Sequence, residues 1–217
     1  MDEVLERQLE RADERWMERW LSGPTRVRHE ELPVQVGDRA PDVDLVDSDD
    51  RPLRLSDLWP GGPVHLMFLR HYGCSCLRER AATLADDAAR VREAGGRTVA
   101  VGQGEPERTR LMIEQRGLTV PVLCDPGYRA FDAYGILEGT PPAIVHDFAW
   151  TPDDEATGRA WSEERRGTDR RLVDNPWILP AEFVIDRQGV IRHAHRYQYC
   201  EDFPPATVLV GAIMAAA

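Results

Sequence analysis

The chain contains no lysine, and all 27 of its cationic side chains are arginines. Chemistry through an internal lysine imine is therefore excluded. Positive charge is also scarce, because 38 Asp and Glu residues leave a formal net charge of −11. General nucleic-acid binders and anionic-membrane binders need a basic face, so neither nucleic acid nor a membrane is expected as a partner. No apolar run reaches the ~20 residues of a spanning helix. Met1-Asp2-Glu3-Val4-Leu5-Glu6-Arg7 is too charged for a secretory leader, and a cytoplasmic protein is expected. Cysteine is sparse as well. Four cysteines in 217 residues are a poor basis for a disulfide scaffold in a reducing compartment. A close pair among them points to redox or metal duty instead.

What remains is the composition of one decorated domain, with 42% hydrophobic residues for a core. Leu5, Leu9, Ala12, Trp16 and Trp20 recur at steps of three and four, which predicts an amphipathic helix over residues 2–21. Its apolar stripe needs a partner surface, either the domain itself or a second subunit and hence a homodimer. Residues 1–35 then form a helical extension with a linker, and residues 36–217 the main domain. From there strands and helices alternate. Strands are expected at 43–46, 64–69, 97–102 and 121–125, and helices at 76–94, 106–116 and 128–134. A hairpin is expected over 180–186 and 190–195, with a final helix over 204–217. The stretch of about 139–177 interrupts the order and reads as an insert, a lid or a binding segment.

The chemistry should sit where Val64-His65-Leu66-Met67-Phe68-Leu69 gives way to His71-Tyr72-Gly73-Cys74-Ser75-Cys76. A cysteine at a helix start meets unpaired amides and the positive end of the dipole, which favours the reactive thiolate. Arg70, His71 and Arg78 are the adjacent electrostatic candidates. Cys74 lies nearest the turn and is the expected nucleophile. A Cys74–Cys76 disulfide closes a very small ring, suited to a transient bond. By topology, the strand at 190–195 ends on the same edge, bringing Cys200 near the pair as either a resolving thiol or an inert one. Cys124 ends a strand farther out and reads as structural, as do His193 and His195.

The order strand, Cys-headed helix, strand, helix, Pro-headed hairpin and helix resembles the thioredoxin fold. In detail the chain resembles the peroxiredoxin-like AhpC/TSA (redoxin) family. Four pieces carry the likeness: Val36-Gly37-Asp38-Arg39-Ala40-Pro41; Phe68-Leu69-Arg70-His71-Tyr72-Gly73-Cys74; Leu123-Cys124-Asp125-Pro126 with Ala133-Tyr134-Gly135; and Leu179-Pro180-Ala181-Glu182-Phe183-Val184-Ile185-Asp186. The resemblance implies an α/β fold with a central mixed sheet flanked by helices. It also implies a thiol-dependent oxidoreductase that needs no cofactor, acting on a peroxide or disulfide with an external thiol as reductant. Two departures stand out. The family's P-x-x-x-T-x-x-C pattern is replaced by Met67 and His71 counted from Cys74, or by Leu69 and Gly73 counted from Cys76. Pro180 stands where peroxiredoxins tend to have Arg, as in thioredoxin, where that Pro is usually cis; a cis bond touching the Cys turn is expected.

Two alternatives stay open at this stage. Cys74, Cys76 and Cys200, with His71 or Cys124, could ligate a metal or an iron–sulfur cluster. The protein could also be a redoxin recruited to a specialised small-molecule pathway, with Trp150, Trp161 and Trp177 of the insert lining a pocket.

Overall fold

The computed structural model describes residues 3–144 and 172–217. Trp150 and Trp161 lie outside the described residues. Alternation of strand and helix yields one seven-stranded mixed sheet in the order β2-β1-β5-β4-β3-β6-β7. The strands are β1 (Asp44–Asp47), β2 (Pro52–Arg54), β3 (Val64–Phe68), β4 (Arg97–Gly102), β5 (Val122–Cys124), β6 (Ala181–Ile185) and β7 (Ile191–Arg196). The helices are α1 (Glu3–Ser22), α2 (Ser75–Glu93), α3 (Pro106–Arg116), α4 (Arg129–Ala133), α5 (Pro141–Ile144) and α6 (Ala206–Ala216). β3, β4 and β5 run parallel, while β6 is antiparallel to both β3 and β7. The sequence pattern missed β2, a three-residue edge strand led by Pro52 with no room for an alternating pattern.

The period of two in β3 decides which layer each side chain enters. Val64, Leu66 and Phe68 point to a core shared with Leu45, Phe131, Tyr134 and Phe183. Met67 and Leu69 point the other way, under Leu77, Leu84 and Met112 of α2 and α3. β6 carries the same split, with Phe183 and Ile185 in the first layer and Val184 packed on Leu209 and Ile213 of α6. The central strands are therefore covered on both faces.

α1 buries its stripe on its own domain. Leu9 joins the layer beneath α2 and α3, and Ala12, Trp16 and Trp20 pack with Val173 and Trp177. The indoles of Trp16 and Trp20 stack at 5.5 Å, and Trp20 stacks on Trp177 at 4.8 Å. Gln8 donates to Glu107 at 2.9 Å, and the Trp177 indole N–H donates to the Arg19 carbonyl at 2.7 Å. The linker that follows is held from the far side of the sheet. Arg196 donates to the carbonyls of Val34 and Tyr134, both at 2.7 Å, and Arg26 donates to the Ile136 carbonyl at 2.6 Å.

Trp20 is the middle ring of the stack, so Trp20→Ala is expected to cost about 3–5 kcal/mol. The loss should appear as a lowered urea midpoint with the urea slope retained; an unchanged midpoint would mean that α1 adds nothing to the domain.

Candidate active site

β3 ends at Phe68, and Leu69 continues it by donating to the Val101 carbonyl at 2.9 Å. The chain then turns, with the Cys74 amide donating to the His71 carbonyl at 3.0 Å. Cys74 is the N-cap of α2, with extended backbone angles, and the helix begins at Ser75, one residue before the expected start. Tyr72 anchors the turn from beneath, its hydroxyl 2.8 Å from that of Thr109. A Cβ on Gly102 or Gly104 would collide with the Tyr72 ring, so glycine at both positions is what lets the ring lie flat on the end of β4.

Cys74 and Cys76 are joined as a disulfide, with a Cα–Cα distance of 5.4 Å. Cys74 is half-buried and Cys76 fully buried. Cys76 belongs to a cluster with Leu179, Tyr197 and Cys200, against which Cys74 packs from the edge. Three of the four thiol-bearing residues thus converge on one site. The Cys200 amide donates to the Ala143 carbonyl at 3.2 Å, and its thiol faces the Ile144 carbonyl at 3.6 Å. Burial pushes this thiol's pKa up, and the Arg70 guanidinium beside it works in the opposite direction. Cys124 is separate, two strands from β3, its Sγ 3.3 Å from the Thr109 hydroxyl. Burial raises it to about 11, the signature of an inert core thiol.

The flanking candidates divide. Arg70 is buried and donates to the Ile178 carbonyl, so its guanidinium serves the Cys200 side of the site. His71 is buried and neutral, its pKa held well below the ordinary value by burial and then by Arg70 and Arg116. Among the described residues its Nδ1 has no hydrogen-bond partner. Arg78 is exposed on the first turns of α2. The Leu179–Pro180 bond is trans, contrary to expectation, since no peptide bond among the described residues is cis. The strand is nonetheless antiparallel as expected, and Ala181 lies opposite Phe68, which puts Pro180 at the cysteine end of β3. The reason is the run before the proline: Glu138 bridges to Ile178, Leu179 donates to the Leu137 carbonyl at 3.1 Å, and Tyr197 donates to the Pro180 carbonyl at 3.2 Å. A trans bond carries that extended pairing straight into β6. Leu179, rather than Pro180, belongs to the cysteine cluster.

The metal alternative is not supported by the geometry. The sulfurs of Cys74 and Cys76 are bonded to each other, and Cys124 is remote. Among the described residues no group of three or more His, Cys, Asp or Glu could hold a metal ion.

Behind the cysteines lies a buried polar cluster that the sequence reading overlooked. Glu182 sits opposite Met67, which places it diagonally beside His65 on the α2 face of the sheet. His65 Nε2 is 2.8 Å from Glu182, and its Nδ1 is 3.2 Å from the Thr98 hydroxyl. Tyr197 donates its hydroxyl to Glu182, and Arg80 reaches the same carboxylate at 3.3 Å. Burial alone would raise Glu182; His65, Arg80 and Tyr197 instead bring it down to about 2. Arg80 is one turn beyond Cys76 on the same face of α2. The sequence did carry a signal: a His inside Val-His-Leu-Met-Phe and a Glu inside Ala-Glu-Phe-Val-Ile are single polar residues in otherwise apolar strands. A second buried pair anchors the segment after residue 171. Arg108 donates to Asp174 and to the Val173 carbonyl, and burial raises Asp174 to about 6 despite Arg108.

A sheet of this order, with paired cysteines at the head of the helix that follows β3, defines a thioredoxin-fold thiol protein. Residues 36–194 match the AhpC/TSA family model, and the chain belongs to the AhpC/TSA family. Solved structures share the fold at low identity. The peroxidoxin BcpB of Mycobacterium tuberculosis aligns at a TM-score of 0.60 and 19% identity, covering 85% of this chain and 99% of that one. A peroxiredoxin-like protein from Aquifex aeolicus aligns at 0.62 and 16%, covering 89% and 92%. A putative thiol:disulfide interchange protein DsbE from Chlorobium tepidum aligns at 0.55 and 22%, covering 84% and 98%. The thioredoxin-like protein AAED1, chloroplastic, of Arabidopsis thaliana is 29% identical over 97 residues, which span 45% of this chain and 39% of that protein. Among the described residues no helix is long and apolar enough to cross a membrane.

Glu182 has a folded-state pKa below its ordinary value of 4.5, so its contribution to stability is complete above about pH 4.5 and is lost as pH falls through about 2. Asp174 acts oppositely, its raised pKa favouring the native state as pH drops from about 6 towards 4. Removing Glu182 leaves Arg80 short of a buried partner, and Glu182→Ala is expected to cost about 3–5 kcal/mol at neutral pH. Urea titrations from pH 7 to pH 2 should show a steeper acid loss for the parent protein than for the variant; parallel profiles would contradict this account.

Proposed function

We propose that Cys74 and Cys76 are the dithiol/disulfide couple of a thiol-dependent oxidoreductase, with disulfides as the preferred substrate over peroxide. The observation that carries the reading is the bonded pair at the N-terminus of α2, with Cys74 half-buried and Cys76 fully buried. In the forward direction the Cys74 thiolate attacks a substrate disulfide and expels one thiolate. Cys76 then attacks Cys74 Sγ, expels the second thiolate and closes the Cys74–Cys76 bond. An external thiol returns both electrons. The dipole of α2 favours the thiolate at Cys74.

Preference for disulfides follows from what surrounds the nucleophile. Peroxide reduction benefits from donors aimed at the breaking O–O bond. At the two upstream positions where the family has Pro and Thr, this chain has Met67, packed in the core, and His71, buried and neutral. The Arg70 guanidinium is turned to the Ile178 carbonyl and Cys200. Family membership supports peroxide as the competing substrate, and rate measurement separates the two.

Stopped-flow mixing of the reduced protein with an aromatic disulfide is expected to be at least tenfold faster than its reaction with hydrogen peroxide, and the peroxide rate should be close to that of a free thiol. The reverse order would make the protein a peroxidase. Cys74→Ser should lose both reactions. Cys76→Ser should accumulate a mixed disulfide on Cys74; if the adduct forms on Cys76 of the Cys74→Ser protein instead, the roles of the two thiols are exchanged.

A further inference from the structure

We propose that Cys200 is an internal exchange partner of the disulfide, so that the oxidised protein interconverts between a Cys74–Cys76 bond and a Cys76–Cys200 bond. The inference rests on the reading of Cys74 and Cys76 as the working couple and adds a second oxidised state to it.

Cys200 is only 3% exposed, which shuts out external thiols and leaves its neighbours as its reaction partners. Cys200 shares one apolar cluster with Cys76, Leu179 and Tyr197, which places its thiol in the same pocket as the disulfide. A thiol packed beside a disulfide exchanges with it whenever its thiolate is accessible. The Arg70 guanidinium lies beside the Cys200 sulfur and favours its charged form, against the burial that opposes it. Among the described residues Arg70 Nε has no hydrogen-bond partner.

The step conserves atoms and electrons. Cys200 gives up its proton, and its sulfur attacks Cys76 Sγ. The Cys74–Cys76 bond breaks with its electron pair on Cys74, which takes up a proton. One disulfide forms as another is lost, so no outside oxidant or reductant enters. Cys76 is the sulfur attacked because it is the buried member that shares the cluster with Cys200. Cys74 is the better leaving group because it sits at the helix N-cap, half-exposed, where the dipole stabilises a thiolate. The product holds its oxidising equivalent between two buried sulfurs and presents Cys74 again as a free thiol at the surface.

Tryptic cleavage makes the two states distinguishable, because Cys74 and Cys76 fall together in residues 71–78 and Cys200 in residues 197–217. The full chain is reduced, oxidised with one equivalent of diamide, trapped with excess N-ethylmaleimide in denaturant, digested and sequenced by tandem mass spectrometry. The expected product is a peptide 71–78 linked to 197–217 with maleimide on Cys74, lost completely in Cys200→Ser. Maleimide on every Cys200, with the disulfide confined to residues 71–78, overturns the exchange while leaving the Cys74–Cys76 couple intact. A linked pair carrying maleimide on Cys76 overturns the assignment of Cys76 as the sulfur attacked. Peptides with no disulfide at all overturn this inference together with the reading it rests on.

Discussion

The ionised carboxylate of Glu182, sealed between the sheet and α2, is the contact on which the rest of the site depends. One carboxylate takes partners from three directions: His65 on β3, Arg80 on α2 and Tyr197 just past β7. Each partner lies next to a piece of the candidate site. β3 leads into the cysteine turn, Arg80 is one turn from Cys76, and Tyr197 packs with Cys76 and Cys200. A buried ion cluster is weak as a source of net stability compared with apolar packing, but it penalises misplacement of any member heavily. Its effect is therefore geometric. α2 cannot slide along the sheet without stranding Arg80, and the Cys200 loop cannot drift without breaking the Tyr197 bond.

A second layer of organisation comes from the N-terminal helix. α1 does not extend the sheet, yet its tryptophans stack on Trp177, and Trp16 lies 6.4 Å from the His71 ring. The helix thereby holds the 172–178 segment against the domain, together with Arg108 and with Asn175, which donates to Glu138 at 2.7 Å. The side of the site away from α6 is therefore made by residues distant in sequence: a helix at the start of the chain and a short extended run before β6. This cooperation keeps His71 dry and neutral.

Much of the frame was legible from the residues. Period-two strands separated by period-3.6 helices, Gly117 after α3 and the Cys-headed helix led to the order of the main strands and helices, the short edge strand β2 apart. Antiparallel return of the last hairpin was enough to bring Cys200 to the pair. The remainder was hidden for physical reasons. The cis expectation at Pro180 transferred a family habit to a segment whose flanking residues are already paired in extended form, and pairing across three strands is not visible in a dipeptide. The Glu182 cluster was missed because His65, Arg80, Glu182 and Tyr197 are ordinary residues one at a time. Only strand register and the winding of α2 place them in contact. The stripe on α1 announced a docked face, while its receiving surface, Val173 and Trp177, lay in the segment whose pattern was hardest to read.

The irregular segments around the site are tied down by arginines that donate to backbone carbonyls, two of which, Arg26 and Arg108, also reach the carboxylates of Asp132 and Asp174. Arg196 serves Val34 and Tyr134, Arg26 serves Ile136, Arg70 serves Ile178 and Arg108 serves Val173. A guanidinium keeps its charge across the physiological range, and a carbonyl has no charge to lose. Added salt dissolves an exposed pair such as Arg7–Glu3 by screening. It has far less purchase on a short bond from a cation to a neutral oxygen in the interior. The loops that frame the disulfide are thus insulated from ionic strength, and a brine that strips the surface of its ion pairs would leave the cysteine pair with its walls in place.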